Sequence, residues 1–192
     1  MPSVTVVNHV SLDGVMQAPG RPDEDPRGGF AHGGWAQAGN DPVMGRVMAE
    51  GMGRPGGLLL GRRTYEDFAA YWPRQTDNPF TPVLNATRKY VASHTLTEPS
   101  WRNTTILGGD AAETVATLKQ SEDLMILGSG ELIRSLIGQG LIDVWMLLIH
   151  PRVLGSGRRL FAADGPPAAL HLTDSVTTTT GVVIATYASG DA

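Results

Sequence analysis

The chain has 192 residues, a net charge of −4 and an apolar content of 41%. That size suits one domain with an ordinary core, and the acidic balance argues against a nucleic-acid binder, which is usually basic. Cysteine is absent, which excludes disulfides and thiolate metal sites.

The N-terminus, Met1-Pro-Ser-Val-Thr-Val-Val7, lacks a basic region leading into a long apolar stretch, so no signal peptide is expected. Leu124 to Ile149 is the most apolar region, but Glu131, Arg134, Gln139 and Asp143 interrupt it, and no membrane span is predicted. A cytoplasmic protein is the default, with a small-molecule ligand and no nucleic-acid or membrane partner.

Val4 to Val10 reads as a short β-branched strand. Ser11-Leu-Asp-Gly-Val15 follows, and then a polar segment rich in Gly and Pro to about Asn40. This segment lies between ordered elements and carries Phe30 and Trp35, so it reads as a loop or lid over a site rather than a linker. Asp41-Pro42 is an N-cap followed by an N1 proline, with Val43, Val47 and Met48 forming the apolar stripe of a helix that ends near Gly51 or Gly53.

Gly56 to Leu60 is a buried strand, and Gly61-Arg-Arg-Thr-Tyr-Glu66 turns into a helix to about Tyr71 that Trp72-Pro73 closes. Asn78-Pro79 opens a short helix through Asn85. Lys89 to Ala92 and Thr104 to Leu107 are strands, and Asp110 caps a helix through Lys119. Leu124 to Leu127 is a strand, Gly128-Ser129-Gly130 a tight turn, and Leu132, Ile133, Leu136 and Ile137 recur at helical spacing. Asp143 to Ile149 is a strand, and Leu170 to Val176 and Val182 to Tyr187 form an antiparallel pair. About eight strands alternating with four or five helices predict an α/β fold, a mostly parallel sheet with helices on both faces and an antiparallel C-terminal edge.

Several of these strands end in similar chemistry. They lead into Gly61-Arg62-Arg63-Thr64, Ser93, Gly108-Gly109 and Gly128-Ser129-Gly130. In a parallel sheet such carboxyl ends line one edge, where ligands bind in open α/β folds. Helix N-termini, guanidinium forks and small hydroxyls suit a ligand with more than one phosphate. A solvated Arg62-Arg63 pair, a strand-end hydroxyl at Ser93 and a purely structural glycine turn are the bland alternatives. No Gly-x-Gly-x-x-Gly follows the first strand and no Walker sequence is present, so a different nucleotide-binding fold is indicated.

Taken together, the motifs resemble the dihydrofolate reductase-like superfamily, in particular the bacterial branch similar to the reductase domain of the bifunctional riboflavin biosynthesis protein. The resemblance rests on Ser11-Leu-Asp-Gly14, the 61–66 turn, Leu84-Asn85 with Lys89 to Ser93, Gly128-Ser-Gly-Glu-Leu132, Leu141-Ile-Asp143 and Pro151-Arg-Val-Leu-Gly-Ser-Gly157 leading to Leu160-Phe161. The loop with Phe30-Ala-His-Gly-Gly-Trp35 also fits. The resemblance implies one domain over 1–192, a three-layer αβα arrangement around a twisted eight-stranded sheet, a long active-site loop at about 11–40, and NADPH as hydride donor. It further implies that Gly61, Arg62, Arg63 and Thr64 hold the pyrophosphate and adenosine phosphate, and that Ser93 lies beside the 2′-phosphate. Leu127, Gly128, Ser129, Gly130, Glu131 and Leu132 would wrap the pyrophosphate, with Asp13, Gly14 and Val15 near the nicotinamide.

The sequence departs from this pattern in three places. No carboxylate has a clear claim to the substrate-gripping position of dihydrofolate reductases, Val144 follows Asp143 where the family often has an acidic residue, and Glu131 brings a negative charge into the phosphate turn.

Reduction also needs a proton. Asp13 is the first candidate source, with a turn residue bonded to its own backbone as the alternative. His32 is the second, against a merely exposed loop histidine. Trp35 would stack on a flat heterocycle or anchor the loop to the core. The histidines at 9, 32, 94, 150 and 171 show no helical pair spacing or short cluster, and no metal site is predicted. The expected activity is an NADPH-dependent reductase of a small heterocyclic (pterin- or pyrimidine-like) or carbonyl compound. A riboflavin-pathway ribosylamino-pyrimidine reductase is a narrower alternative, and an NADPH-binding protein without turnover is an alternative of another class. The resemblance also suggests a homodimer through the late strands, where Trp145, Met146 and Leu148 are the apolar positions, although core packing would use them equally well.

Overall fold

A computed structural model describes residues 1–53 and 56–190. The strands are β1 (Val4–Ser11), β2 (Gly57–Gly61), β3 (Arg88–Ala92), β4 (Thr104–Leu107), β5 (Leu124–Leu127), β6 (Val144–His150), β7 (Leu170–Thr177) and β8 (Val183–Ser189). The α-helices are α1 (Pro42–Met52), α2 (Arg62–Tyr71), α3 (Phe80–Ala86), α4 (Ala111–Leu118) and α5 (Gly130–Ile137). The strands form one eight-stranded sheet in the order β4-β3-β2-β5-β1-β6-β8-β7. β2 pairs in parallel with β3 and β5, β3 pairs in parallel with β4, and β8 runs antiparallel to both β6 and β7. The mostly parallel sheet with an antiparallel C-terminal edge is therefore as the sequence predicts.

Backbone proximity divides the chain into two compact units, Met1–Val6 with Ala49–Asp143, and Val7–Met48 with Val144–Ala192.

In the first unit β2 is buried along most of its length, as a central parallel strand covered on both faces should be. Leu58, Leu60, Tyr65, Leu84, Val91 and Trp101 form its core, with Phe68, Trp72 and Phe80 packed against them. Burying each leucine contributes roughly 1.5–3 kcal/mol. Local signals set the helix starts. Asp110 caps α4 by accepting the Glu113 N–H at 3.0 Å, and Asn78 accepts the Phe80 N–H at 3.0 Å ahead of α3. Asp143 ends the unit by accepting the Val4 N–H at 2.7 Å and pairing with Lys119 at 2.6 Å. Lys89 is fully buried, with no carboxylate partner among the described residues. Its ammonium donates to the Thr87 and Arg102 carbonyls at 2.7 and 3.1 Å and lies 4.3 Å from the Trp101 ring centroid. Burial, with the Arg102 charge adding to it, pushes its pKa down to about 8.

In the second unit β6 is mostly buried, with Trp145 1% and Leu148 0% exposed, so core packing occupies both. β7 lies at the sheet edge and is exposed along nearly all of its length. Thr173, Asp174 and Ser175 are on it, and polar residues discourage strand addition. The segment after β1 is ordered around a core of its own. Val15, Ala18, Phe30, Trp35 and Ala36 are buried together, with Leu154 packed on them. Asp41 then starts α1 by accepting the Met44 N–H at 2.8 Å.

Candidate functional site

The first unit brings the predicted phosphate turns together. Register places Gly61 of β2 opposite Ala92 of β3, and Ala92 opposite Leu107 of β4. The carboxyl ends of these strands are level, and Arg62, Ser93 and Gly108 all leave from one edge. The turn after β5 joins them. Ser129 Oγ accepts the Gly61 N–H at 2.9 Å, and a Cβ added at Gly128 would lie 3.5 Å from Thr64 Cγ2.

Gly128 and Ser129 both have left-handed backbones, with φ of 67° and 66°. Glycine adopts this freely, but serine pays roughly 1 kcal/mol or more. The strain at Ser129 is offset by its bond to Gly61, and the side chain is thereby turned away from capping its own helix. α2 and α5 both begin without a side-chain cap. The first bond of α5 runs from the Ile133 N–H to the Ser129 carbonyl at 3.0 Å, which leaves the amides of Gly130 and Leu132 without helical acceptors among the described residues. Two uncapped helix starts with positive dipole ends are thus tied to each other by one hydroxyl.

The remaining predicted residues of this unit take defined places. Arg62 pairs with both Glu66 oxygens at 3.0 Å, one turn along α2, while Arg63 is exposed. Ser93 Oγ accepts the amides of Thr95 and Leu96 at 3.1 and 2.9 Å, closing a turn and keeping its own O–H for donation. Glu131 is exposed and pairs with Arg134 at 3.2 Å, which partly neutralises its charge beside the turn. Leu127 packs on the core and Leu132 is buried, so their side chains are structural and only their backbones belong to the turn.

In the second unit Asp13 is the centre of a hydrogen-bond cluster. Its carboxylate accepts the Ser11 hydroxyl at 2.6 Å and the amides of Leu154 and Gly155 at 3.0 and 2.8 Å. Arg159 lies 3.6 Å from the carboxylate and donates Nε–H to the Asp13 carbonyl at 2.8 Å. The Ser11 hydroxyl bond, followed by the Leu154 amide, brings the Asp13 pKa down to about 2. Asp13 is therefore an ionised clamp that ties the loop after β1 to the loop after β6. Gly14 takes φ +81° within this turn, and its carbonyl accepts the Leu160 N–H at 2.9 Å. The Val15 side chain is fully buried in the loop core.

Trp35 is buried as well. Its Nε1–H donates to the Gln17 carbonyl at 2.7 Å, and its ring meets His150 edge-on at 5.2 Å. It anchors the loop. His32 is exposed, with its ring edge-on to Phe30 at 5.5 Å.

Residues 2–184 match the family described as the RibD C-terminal domain. The chain belongs to that family. Membership supports a reductase as the class of activity. Among relatives, YyaP of Bacillus subtilis (strain 168) is 29% identical over 136 residues, covering 68% of this chain and 72% of its own. The fold is shared with a crystal structure from Shewanella sp. PV-4 named for riboflavin biosynthesis, at TM-score 0.70 and 20% identity, with 98% of this chain and 99% of that one covered. A pyrimidine reductase-like protein from Corynebacterium diphtheriae NCTC shares it at TM-score 0.65 and 11% identity, covering 100% and 93%. No helix among the described residues is long and apolar enough to cross a membrane.

One feature of this RibD C-terminal domain has no local signature in the sequence. His9 on β1 and His150 on β6 are 141 positions apart, yet His9 Nδ1 lies 2.8 Å from His150 Nε2. Burial, with charge from its neighbour, depresses both: His9 to about 3, with His150 adding to the effect, and His150 to about 4, with Arg152 adding to it. Both rings are neutral at ordinary pH and share one proton across the contact. Arg159 was similarly hidden, because nothing near it in sequence points to Asp13.

Proposed function

We propose that this chain is an NADPH-dependent reductase of a small heterocyclic or carbonyl compound. One observation supports this reading above the others: the Gly61 N–H to Ser129 Oγ bond holds two uncapped helix starts at one sheet edge. Such a cradle offers backbone N–H groups and dipole ends to paired phosphates without a side chain in the way. The donor set fits a dinucleotide. Gly130 and Leu132 would take the pyrophosphate through their amides, together with the first turn of α2. Arg63, exposed on α2, and the free hydroxyl hydrogen of Ser93 suit the 2′-phosphate.

Bound NADPH would supply the hydride. The chain's part is to bind, orient and exclude water. Asp13 serves this by fixing the loop after β1, since a carboxylate held near pKa 2 by the Ser11 hydroxyl and the Leu154 and Gly155 amides keeps no proton to give at neutral pH. The proton would then come from water or from a group that Asp13 does not supply.

The test is a titration with NADPH and with NADH, followed by fluorescence of the four tryptophans. A screen for NADPH oxidation with dihydropterins, pyrimidine analogues and quinones would follow. Saturable binding with a preference for NADPH, plus oxidation with at least one class, is expected. Arg63→Ala should weaken NADPH about 5–10-fold, the loss of one charge-assisted contact, and leave NADH nearly unchanged. Absence of saturable binding to either cofactor would sink the reading, and binding without oxidation across the panel would leave a nucleotide-binding protein without turnover.

A further inference from the structure

We propose that the 15–36 segment is a fixed element rather than a closing lid, latched in place by the buried side-chain amide of Gln17. Its richness in Gly and Pro is that of a mobile loop. A lid that moves comes from the weakly held end of a structure, with few buried apolar contacts and little internal bonding. The 15–36 segment has the opposite character. It carries a buried apolar cluster of Val15, Ala18, Phe30, Trp35 and Ala36. Its two limbs also bond each other directly: the Gly34 N–H donates to the Ala18 carbonyl at 2.9 Å and the Ala36 N–H to the Pro19 carbonyl at 3.1 Å. The limbs come so close that a Cβ on Gly33 would lie 2.3 Å from the Pro22 carbonyl oxygen.

Gln17 joins these parts. It is 5% exposed, and its side chain bonds through both ends of the amide. Nε2 donates to the Asp25 carbonyl at 3.0 Å and to the Arg27 carbonyl at 2.9 Å, and Oε1 accepts the Arg158 N–H at 3.0 Å. Its backbone carbonyl accepts the Trp35 indole N–H at 2.7 Å. One residue thus fastens the outer turn at 25–27, the returning limb at Trp35 and the loop after β6. Only an amide side chain offers two donors and an acceptor in this space without a charge. The bonds come from the segment itself and from Arg158, all within the second unit. The entropy of ordering the segment is therefore met when the chain folds, and ligand binding leaves it as it is.

Amide hydrogen exchange, followed residue by residue in the ¹⁵N-labelled protein with no ligand added, tests this. In the wild type the Gly34 and Ala36 amides should exchange more than about 100-fold slower than in an unstructured chain. Gln17→Met keeps a similar volume and removes the three side-chain bonds. It should speed both amides about 10–100-fold, while the amides of β6 exchange as in the wild type. Wild-type Gly34 and Ala36 amides slowed less than about 100-fold overturn the fixed element. Unchanged rates in Gln17→Met overturn the latch. So does an equal acceleration of the β6 amides, or a Gln17→Met chain that does not fold, because either makes Gln17 a part of overall stability and not a local fastening.

Discussion

Removing the Ser129 hydroxyl should loosen the cradle by a predictable amount. In Ser129→Ala the Gly61 N–H loses its 2.9 Å acceptor while the left-handed backbone at 129, φ 66°, stays in place. An abandoned, half-buried amide costs about 1–2 kcal/mol. For a chain of this size that corresponds to a fall in Tm of about 3–6 °C. Ser129→Gly loses the same bond but also releases roughly 1 kcal/mol of backbone strain, so its loss should be smaller by about that amount. Thermal unfolding of the three proteins, followed by far-ultraviolet circular dichroism, gives the comparison directly. If Ser129→Ala melts with the wild type, the bond contributes nothing. If Ser129→Gly melts below Ser129→Ala, the strain argument is wrong.

Three further outcomes concern Gly39, Lys89 and Asp13. Gly39→Ala would drive a methyl to within 2.6–2.8 Å of His150 and Val182, and overpacking of this kind should destabilise by about 1–3 kcal/mol, read from the urea midpoint. Lys89, fully buried, holds its proton less tightly folded (pKa about 8) than unfolded (10.5), so the unfolded state binds more protons between those values. Its contribution to stability should rise as pH climbs from 8 towards 10.5, and Lys89→Met should flatten that part of a Tm–pH curve; a curve of the same slope in both proteins refutes this. Asp13 is lowered from 3.8 to about 2, so what it stabilises is fully present above pH 3.8 and is lost as pH falls through 2. Asp13→Asn should therefore raise the susceptibility of the 151–159 loop to limited proteolysis at pH 7, and equal cleavage rates would show that the clamp does not hold it.

Features carried by short stretches were legible in the sequence. Alternation of apolar runs with helical spacing led to the sheet, and Asp41, Asn78 and Asp110 marked helix starts because a capping side chain acts within three residues. The four turns could be placed on one edge because parallel pairing leaves strand ends level. Other features depend on residues far apart in the chain. The sequence suggested a hydroxyl near a phosphate at Ser129, but not that its oxygen would be given to Gly61, 68 positions away. Asp13 read as either an acid or a turn residue, and the amides of Leu154 and Gly155 that hold it ionised come from 141 and 142 positions on. Trp35 offered stacking or anchoring, and the Gln17 carbonyl decides for anchoring. His9 and His150 gave no signal, because a contact across two strands leaves no spacing to read.

The small core inside the loop after β1 bears on how this segment can be edited. Val15, Ala18, Phe30, Trp35 and Ala36 are buried, whereas most positions from 20 to 29 are exposed. The segment is thus a folded unit with an exposed outer side. Positions 22–25 are nonetheless tied to it: buried Gln17 donates Nε2–H to the Asp25 carbonyl at 3.0 Å, Glu24 accepts the Gly20 N–H at 2.6 Å, and the Pro22 backbone lies close against Gly33. A transplant into another scaffold would have to carry 15–36 whole, together with Leu154, because the five buried residues shelter one another before they shelter any ligand.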